Sequence, residues 1–214
     1  MEKKYQGLCF FEPWIGENYE TGGIFSKKIL VVGESHYCGC EECHGRCGFN
    51  DVPEGGCENF TRNVIRMYLD GYKARWTATY KKFECSLLNK VTTLEESNIV
   101  WNSIAFYNYL QIAMGGPRES GSSHDYKDAE KPFFEVLEEL QPDLVIVWGV
   151  NQLFNNMPYE RWIGGEQLIV DNYPVKNGYY QLEKGKKARV IAIYHPSTGY
   201  DWSWWYKVIM SQLK

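Results

Sequence analysis

Two short polar segments, Gly33-Glu34-Ser35-His36-Tyr37 and His195-Pro196-Ser197, hold a carboxylate, two imidazoles and three hydroxyls, each directly after an apolar run. Side chains of these types move protons near neutral pH and hydrogen-bond to developing charge. A third segment carries soft metal ligands: Cys38, Cys40, Cys43, Cys47 and Cys57, with His36 and His44 beside them. Cys40-x-x-Cys43 followed by Cys47 and Cys57 supplies four thiolates at the loop spacing of a tetrahedral structural zinc site. A glycine-rich loop has little core of its own, and metal binding would supply its ordering free energy. An unmetallated, reduced loop is the alternative, and an iron-sulfur cluster on the same cysteines is the less favoured one.

The elements that must position these groups show in the apolar pattern. Ile29-Leu30-Val31-Val32-Gly33 is short, β-branched and bounded by Lys27-Lys28 and a glycine, the pattern of a strand buried on both faces. Residues 103–109, 143–149 and 189–195 resemble it. Helical spacing appears in residues 60–72, with Val64, Ile65 and Leu69; in 127–141, with Phe133, Phe134, Leu137 and Leu140; and in 203–213, with Trp205, Val208, Ile209 and Leu213. Strands alternating with helices predict an α/β fold with a parallel sheet and right-handed crossovers. Ligands bind outside the carboxyl ends of such strands, so the two polar segments fall on one rim, the expected active site. Residues 38–57 have no apolar period and read as an irregular loop. Leu168-Ile169-Val170 and Tyr179-Tyr180-Gln181-Leu182, separated by Pro174 and the turn-forming Asn177-Gly178, predict a hairpin beside the main sheet.

A chain of 214 residues fits one domain with a substantial core. No apolar stretch approaches the length of a membrane span, and Met1-Glu2-Lys3-Lys4-Tyr5 leads into no signal-peptide apolar region, so a cytoplasmic location is expected. Seven cysteines without a secretory signal argue for metal ligation or free thiols above disulfides. The formal charge of −4 gives no global attraction to nucleic acid. Local balance differs: residues 58–90 hold seven basic and three acidic side chains, while 128–143 is strongly acidic. A phosphate track and a solvated helix face account equally for the basic stretch.

In their order, these motifs resemble the uracil-DNA glycosylase superfamily over most of the chain. Gly33-Glu34-Ser35-His36-Tyr37 looks like the family's first motif, which usually reads Gly-Gln-Asp-Pro-Tyr or Gly-Glu-Ala-Pro-Gly, and His195-Pro196-Ser197 looks like the second, after the last strand. The resemblance implies a three-layer α/β/α sandwich with a short central parallel sheet. One domain would span 1–214, with a cysteine-rich insertion at 38–57. It implies hydrolysis of the N-glycosidic bond of a uracil-type base flipped out of DNA. In that reading His195 donates to the pyrimidine O2 and Glu34 polarises water, because Ser35 stands where the most active branch has an aspartate. Asn108 reads the uracil edge, Tyr37 crowds C5, and Phe60 stacks on the base, with Phe49 the alternative stacker. Gly33, Ser35, His36 and Ser197 complete the pocket, His36 replacing the usual proline. Tyr200 or Trp202 would supply the wedge that enters the duplex.

The implied partner is DNA or a nucleotide, with no membrane contact and a monomeric state. Some branches hold an iron-sulfur cluster through two early and two late cysteines; this chain has only Cys9 near its start, so that cluster is not carried over. The rival reading is a nucleotide or single-strand binding module on the same fold, with Ser35 and His36 marking lost catalysis. A structural zinc protein with a vestigial pocket ranks below both.

Overall fold

The computed structural model describes residues 9–38, 57–116 and 119–213. Eleven strands are present among them: β1 (Trp14–Ile15), β2 (Ile29–Gly33), β3 (His36–Tyr37), β4 (Ala105–Asn108), β5 (Ala113–Met114), β6 (Leu144–Trp148), β7 (Trp162–Gly164), β8 (Leu168–Val170), β9 (Tyr173–Val175), β10 (Asn177–Gln181) and β11 (Lys187–Ile193). The helices are α1 (Phe60–Leu69), α2 (Thr77–Leu88), α3 (Leu94–Asn102), α4 (Ser123–Asp128), α5 (Glu130–Leu140) and α6 (Trp202–Leu213). The main sheet runs β1-β4-β2-β6-β11-β10-β7. Its four central strands pair in parallel, whereas β1 at one edge and β10 and β7 at the other pair antiparallel. The sheet is therefore mixed, a correction to the wholly parallel one expected.

Every residue of β2, β4 and β6 is buried, because helices cover both faces. Alternation divides the strand side chains between two cores. Leu30, Val32, Tyr107, Val145, Val147 and Val190 pack with Phe133, Leu137 and Leu140 of α5. Ile29, Val31, Phe106, Ile146, Ile191 and Ile193 pack with side chains of α1, α2, α3 and α6. Burying one such aliphatic side chain contributes about 1.5–3 kcal/mol, so the two cores dominate stability.

The helix expected over 127–141 divides at Ala129 into α4 and α5, and α4 opens on a capping box between Ser122 and Asp125. The expected hairpin is also differently built. Leu168–Val170 pairs with Tyr173–Val175 through a two-residue turn in which Asp171 and Asn172 have φ of 49° and 67°, the signature of a tight hairpin connection. Asn177-Gly178 is no turn; it opens β10, which pairs with β11 and β7. Gly178 is required there by space, because a Cβ would lie 2.2 Å from the Trp162 ring.

Helices α2 and α3 are joined by a buried carboxylate. Glu84 accepts from the Thr92 hydroxyl, from Ser97 Oγ at 2.6 Å and from Trp101 Nε1 at 3.0 Å, and pairs with Lys81 Nζ at 3.0 Å. Arg62 likewise pairs with Glu12, and Lys90 with Glu96. Of the basic stretch, Arg66, Lys73, Arg75 and Lys82 have no acidic partner among the described residues.

Candidate active site

Parallel register brings the carboxyl ends of the four central strands to one edge. Gly33 lies opposite Asn108, and Trp148 opposite Ile193. Alternation then sets the face. Val31, Phe106, Ile146 and Ile193 belong to the core under α1, α2 and α6, so Gly33, Asn108, Trp148 and His195, each two residues farther along its strand, return to that same face. Three interstrand spacings reach from Asn108 to Ile193, the β11 residue in its row, and His195 lies two residues beyond, so the Asn108 and His195 backbones are about 16 Å apart with their side chains on a common side. Gly33 is what lets the Asn108 amide lie across β2: a Cβ there would be 2.3 Å from Asn108 Oδ1 and 3.1 Å from Phe106.

Beyond Gly33 the chain is clamped rather than loose. Tyr109 N–H donates to Gly33 O and Leu110 N–H to Glu34 O, both at 2.9 Å, and β3 then pairs with β5. Because β3 alternates, His36 points inward and Tyr37 outward; they are 5% and 49% exposed. His36 meets Phe60 at the start of α1 with ring centroids 4.4 Å apart and planes 9° from parallel. Phe11 closes the ring edge-on at 4.9 Å. Thr61 Oγ1 lies 2.9 Å from His36 Nε2, and Asn108 Nδ2 lies 3.1 Å from both ring nitrogens. A neutral imidazole satisfies both partners by donating from Nε2 to Thr61 and accepting at Nδ1 from Asn108. Burial enforces that state, lowering the His36 pKa to about 3.

The carboxylate of Glu34 accepts a short hydrogen bond from the Tyr126 hydroxyl, which in turn accepts from Gln152 Nε2 at 3.4 Å. Burial, and next the bond to Glu34, raise the Tyr126 pKa. Ser35 Oγ is buried near the Tyr37 phenol, with no partner at hydrogen-bond distance among the described residues. The Tyr37 pKa is raised, first by burial and then by the charge of Glu34.

On β11 the strand ends in a tight turn, in which Thr198 N–H donates to His195 O at 3.0 Å. His195 Nδ1 accepts from Ser197 N–H at 3.2 Å and stands 2.7 Å from Ser197 Oγ. An accepting Nδ1 places the ring proton on Nε2. Burial lowers the His195 pKa, so the group is a neutral N–H donor. Its ring meets Trp148 edge-on at 5.8 Å, and Trp148 Nε1 is itself buried without a partner among the described residues.

The structure thus brings Gly33, His36, Phe60 and Asn108 into direct contact, and sets Glu34, Ser35, Tyr37, His195 and Ser197 on the same rim. It does not project the two wedge candidates. Tyr200 is buried, donates to Ser86 Oγ at 2.8 Å and stacks on Trp205, and Trp202 packs against the core under α6. Cys57 is buried in the turn leading into α1; Cys40, Cys43 and Cys47 lie outside the described residues, as does Phe49.

Three groups escaped sequence reasoning. Gln111 accepts from Phe10 and Phe11 N–H and donates to Tyr107 Oη and Asn108 O, tying the amino-terminal segment to the end of β4. Tyr80 of α2 packs on Phe106 and Trp148. Tyr126 orients Glu34. The only sequence signal for any of them was the amide pair Asn108 and Gln111, three residues apart. No family model matches this chain, and no curated protein matches it.

Proposed function

We propose that the chain is a glycosylase-like hydrolase of the N-glycosidic bond of an unstacked uracil-type base, on a three-layer fold of the uracil-DNA glycosylase kind. The observation that carries this reading is the placement of Asn108 and of a neutral, Nε2-protonated His195 on one face of the same rim. Cleavage leaves negative charge on the departing base, and a fixed neutral donor stabilises that charge without competing for the proton. Asn108 selects the base edge, Glu34 orients water, and Ser197 fixes the His195 tautomer. Arg66, Lys73, Arg75 and Lys82, which have no acidic partner among the described residues, offer phosphate contacts in a chain whose overall charge is unfavourable for DNA. The test is base release from uracil-containing single-stranded and duplex oligonucleotides under single-turnover conditions. Time-dependent release is expected, and DNA binding with no release would remove the hydrolase reading.

One observation favours the second reading, a nucleotide-binding module: His36 already occupies the space between Phe60 and Asn108. Binding without release is its expected outcome in the same assay.

Zinc on Cys40, Cys43, Cys47 and Cys57 belongs to this proposal. Cys38, at one end of the cysteine-rich segment, directly follows Tyr37, and Cys57, at the other, stands three residues before Phe60. Both of its ends therefore abut the slot, and metal binding would fix them. Elemental analysis is expected to give about one zinc per chain. Chelation is expected to lower the melting temperature, because ligand binding to the native state adds to its stability. Protein that is metal-free and equally stable with and without chelator would exclude zinc.

A further inference from the structure

We propose that the slot between Phe60 and Asn108 is a binding site for a neutral, planar nitrogen heterocycle whose resident ligand is the protein's own His36, so that an external base enters only by displacing that side chain. This deepens the hydrolase reading and rests on it for the identity of the displacing base.

The geometry is that of heterocycle recognition rather than of general core packing. The His36 ring lies flat on Phe60, with planes 9° from parallel, whereas Phe11 meets both rings edge-on. Hydrogen-bonding groups reach the ring nitrogens from Thr61 Oγ1 and Asn108 Nδ2. Stacking on an aromatic ring, with an amide and a hydroxyl reading the nitrogens, is how proteins hold unstacked bases. None of the four walls, Phe11, Phe60, Thr61 and Asn108, is charged, so the slot selects a neutral ring with a donor and an acceptor.

The resident ligand sits on a short element. His36 belongs to a two-residue strand that, among the described residues, pairs with Ala113 and Met114. In a site filled by its own side chain, the apparent affinity for an external ligand is reduced by the fraction of molecules in which the site stands open. Truncating His36 removes that handicap.

The experiment is a titration of His36→Gly and of wild-type protein with imidazole and, separately, with free uracil, followed by thermal unfolding and by NMR. In His36→Gly, imidazole is expected to raise the melting temperature saturably with a Kd of about 1 mM, reasonable for a five-atom ligand. Uracil is expected to compete with it, and wild-type protein to respond at least tenfold more weakly to both. Folded His36→Gly with no saturable response would overturn the proposal, as would wild-type protein that binds uracil as tightly as the variant. If His36→Gly does not fold, refolding from urea with and without 20 mM imidazole gives the same decision: rescue supports the slot, and no rescue overturns it. Neither readout uses DNA or catalysis. Imidazole filling the slot of a protein that releases no base would sink the hydrolase reading alone, and base release without imidazole binding would sink this inference alone.

Discussion

His195→Ala is expected to lower single-turnover base release about 10² to 10³-fold, the usual loss for one donor aimed at developing charge, while DNA affinity stays within a few-fold. The reasoning begins at Ser197. Its backbone N–H donates to Nδ1 and its hydroxyl lies 2.7 Å from the same atom, so the ring proton sits on Nε2, the nitrogen free to reach a base. A donor of this kind interacts weakly with the neutral base of the ground state and strongly with the anion that leaves. Its loss therefore appears in the rate and not in binding. The pH profile adds a separate check. Burial lowers the His195 pKa, so the neutral form persists to lower pH than in an exposed histidine, and the rate should not rise as pH falls through the ordinary histidine pKa. A rise with acidification would mean that the imidazolium is the active form, and the neutral-donor mechanism would fail. Unchanged base release in His195→Ala would remove His195 from the chemistry altogether.

The central strands were legible because burial on both faces leaves an uninterrupted aliphatic run. The pattern of residues 143–149 predicts a strand, and Leu144–Trp148 is one. Their shared rim followed from parallel pairing. The α2 segment was not legible, because Glu84 and Ser86 lie on its buried side and break the apolar period; polar groups satisfied in the interior look like surface positions in a sequence. The start of α3 was written in the Thr93–Glu96 capping box and went unread. Asn177-Gly178 was misread for a different reason. Glycine serves turns and close approaches alike, and only the Trp162 indole packed against Gly178 distinguishes them. At the site, Gly33, Asn108 and His195 could be placed from strand ends alone. The stacking of His36 on Phe60 could not, since it joins residues 24 apart through a segment with no period. The burial of Tyr200 depends on Ser86 of α2, in a helix the sequence did not reveal.

Glu34→Gln is expected to lower base release about 10² to 10⁴-fold, the range for loss of a positioned general base, with the melting temperature nearly unchanged. This substitution isolates charge from structure. The amide oxygen of glutamine still accepts from the Tyr126 hydroxyl, and Leu110 N–H still donates to the backbone carbonyl of residue 34. The loop therefore keeps its fold and loses only the ability to take a proton from water. Tyr126→Phe is the complementary change. It leaves the carboxylate but removes the bond that orients it, and a hydrogen bond to a charged group worth about 1.5 kcal/mol corresponds to roughly a tenfold fall in rate. Tyr126 thus acts through Glu34, and its effect should vanish in the Glu34→Gln background, where there is no base left to orient. Additive losses in the double variant would instead assign Tyr126 a role of its own. Should Glu34→Gln retain full activity, the Tyr126 contact serves only to shape the loop after β2, and the water must be oriented by another group on the rim.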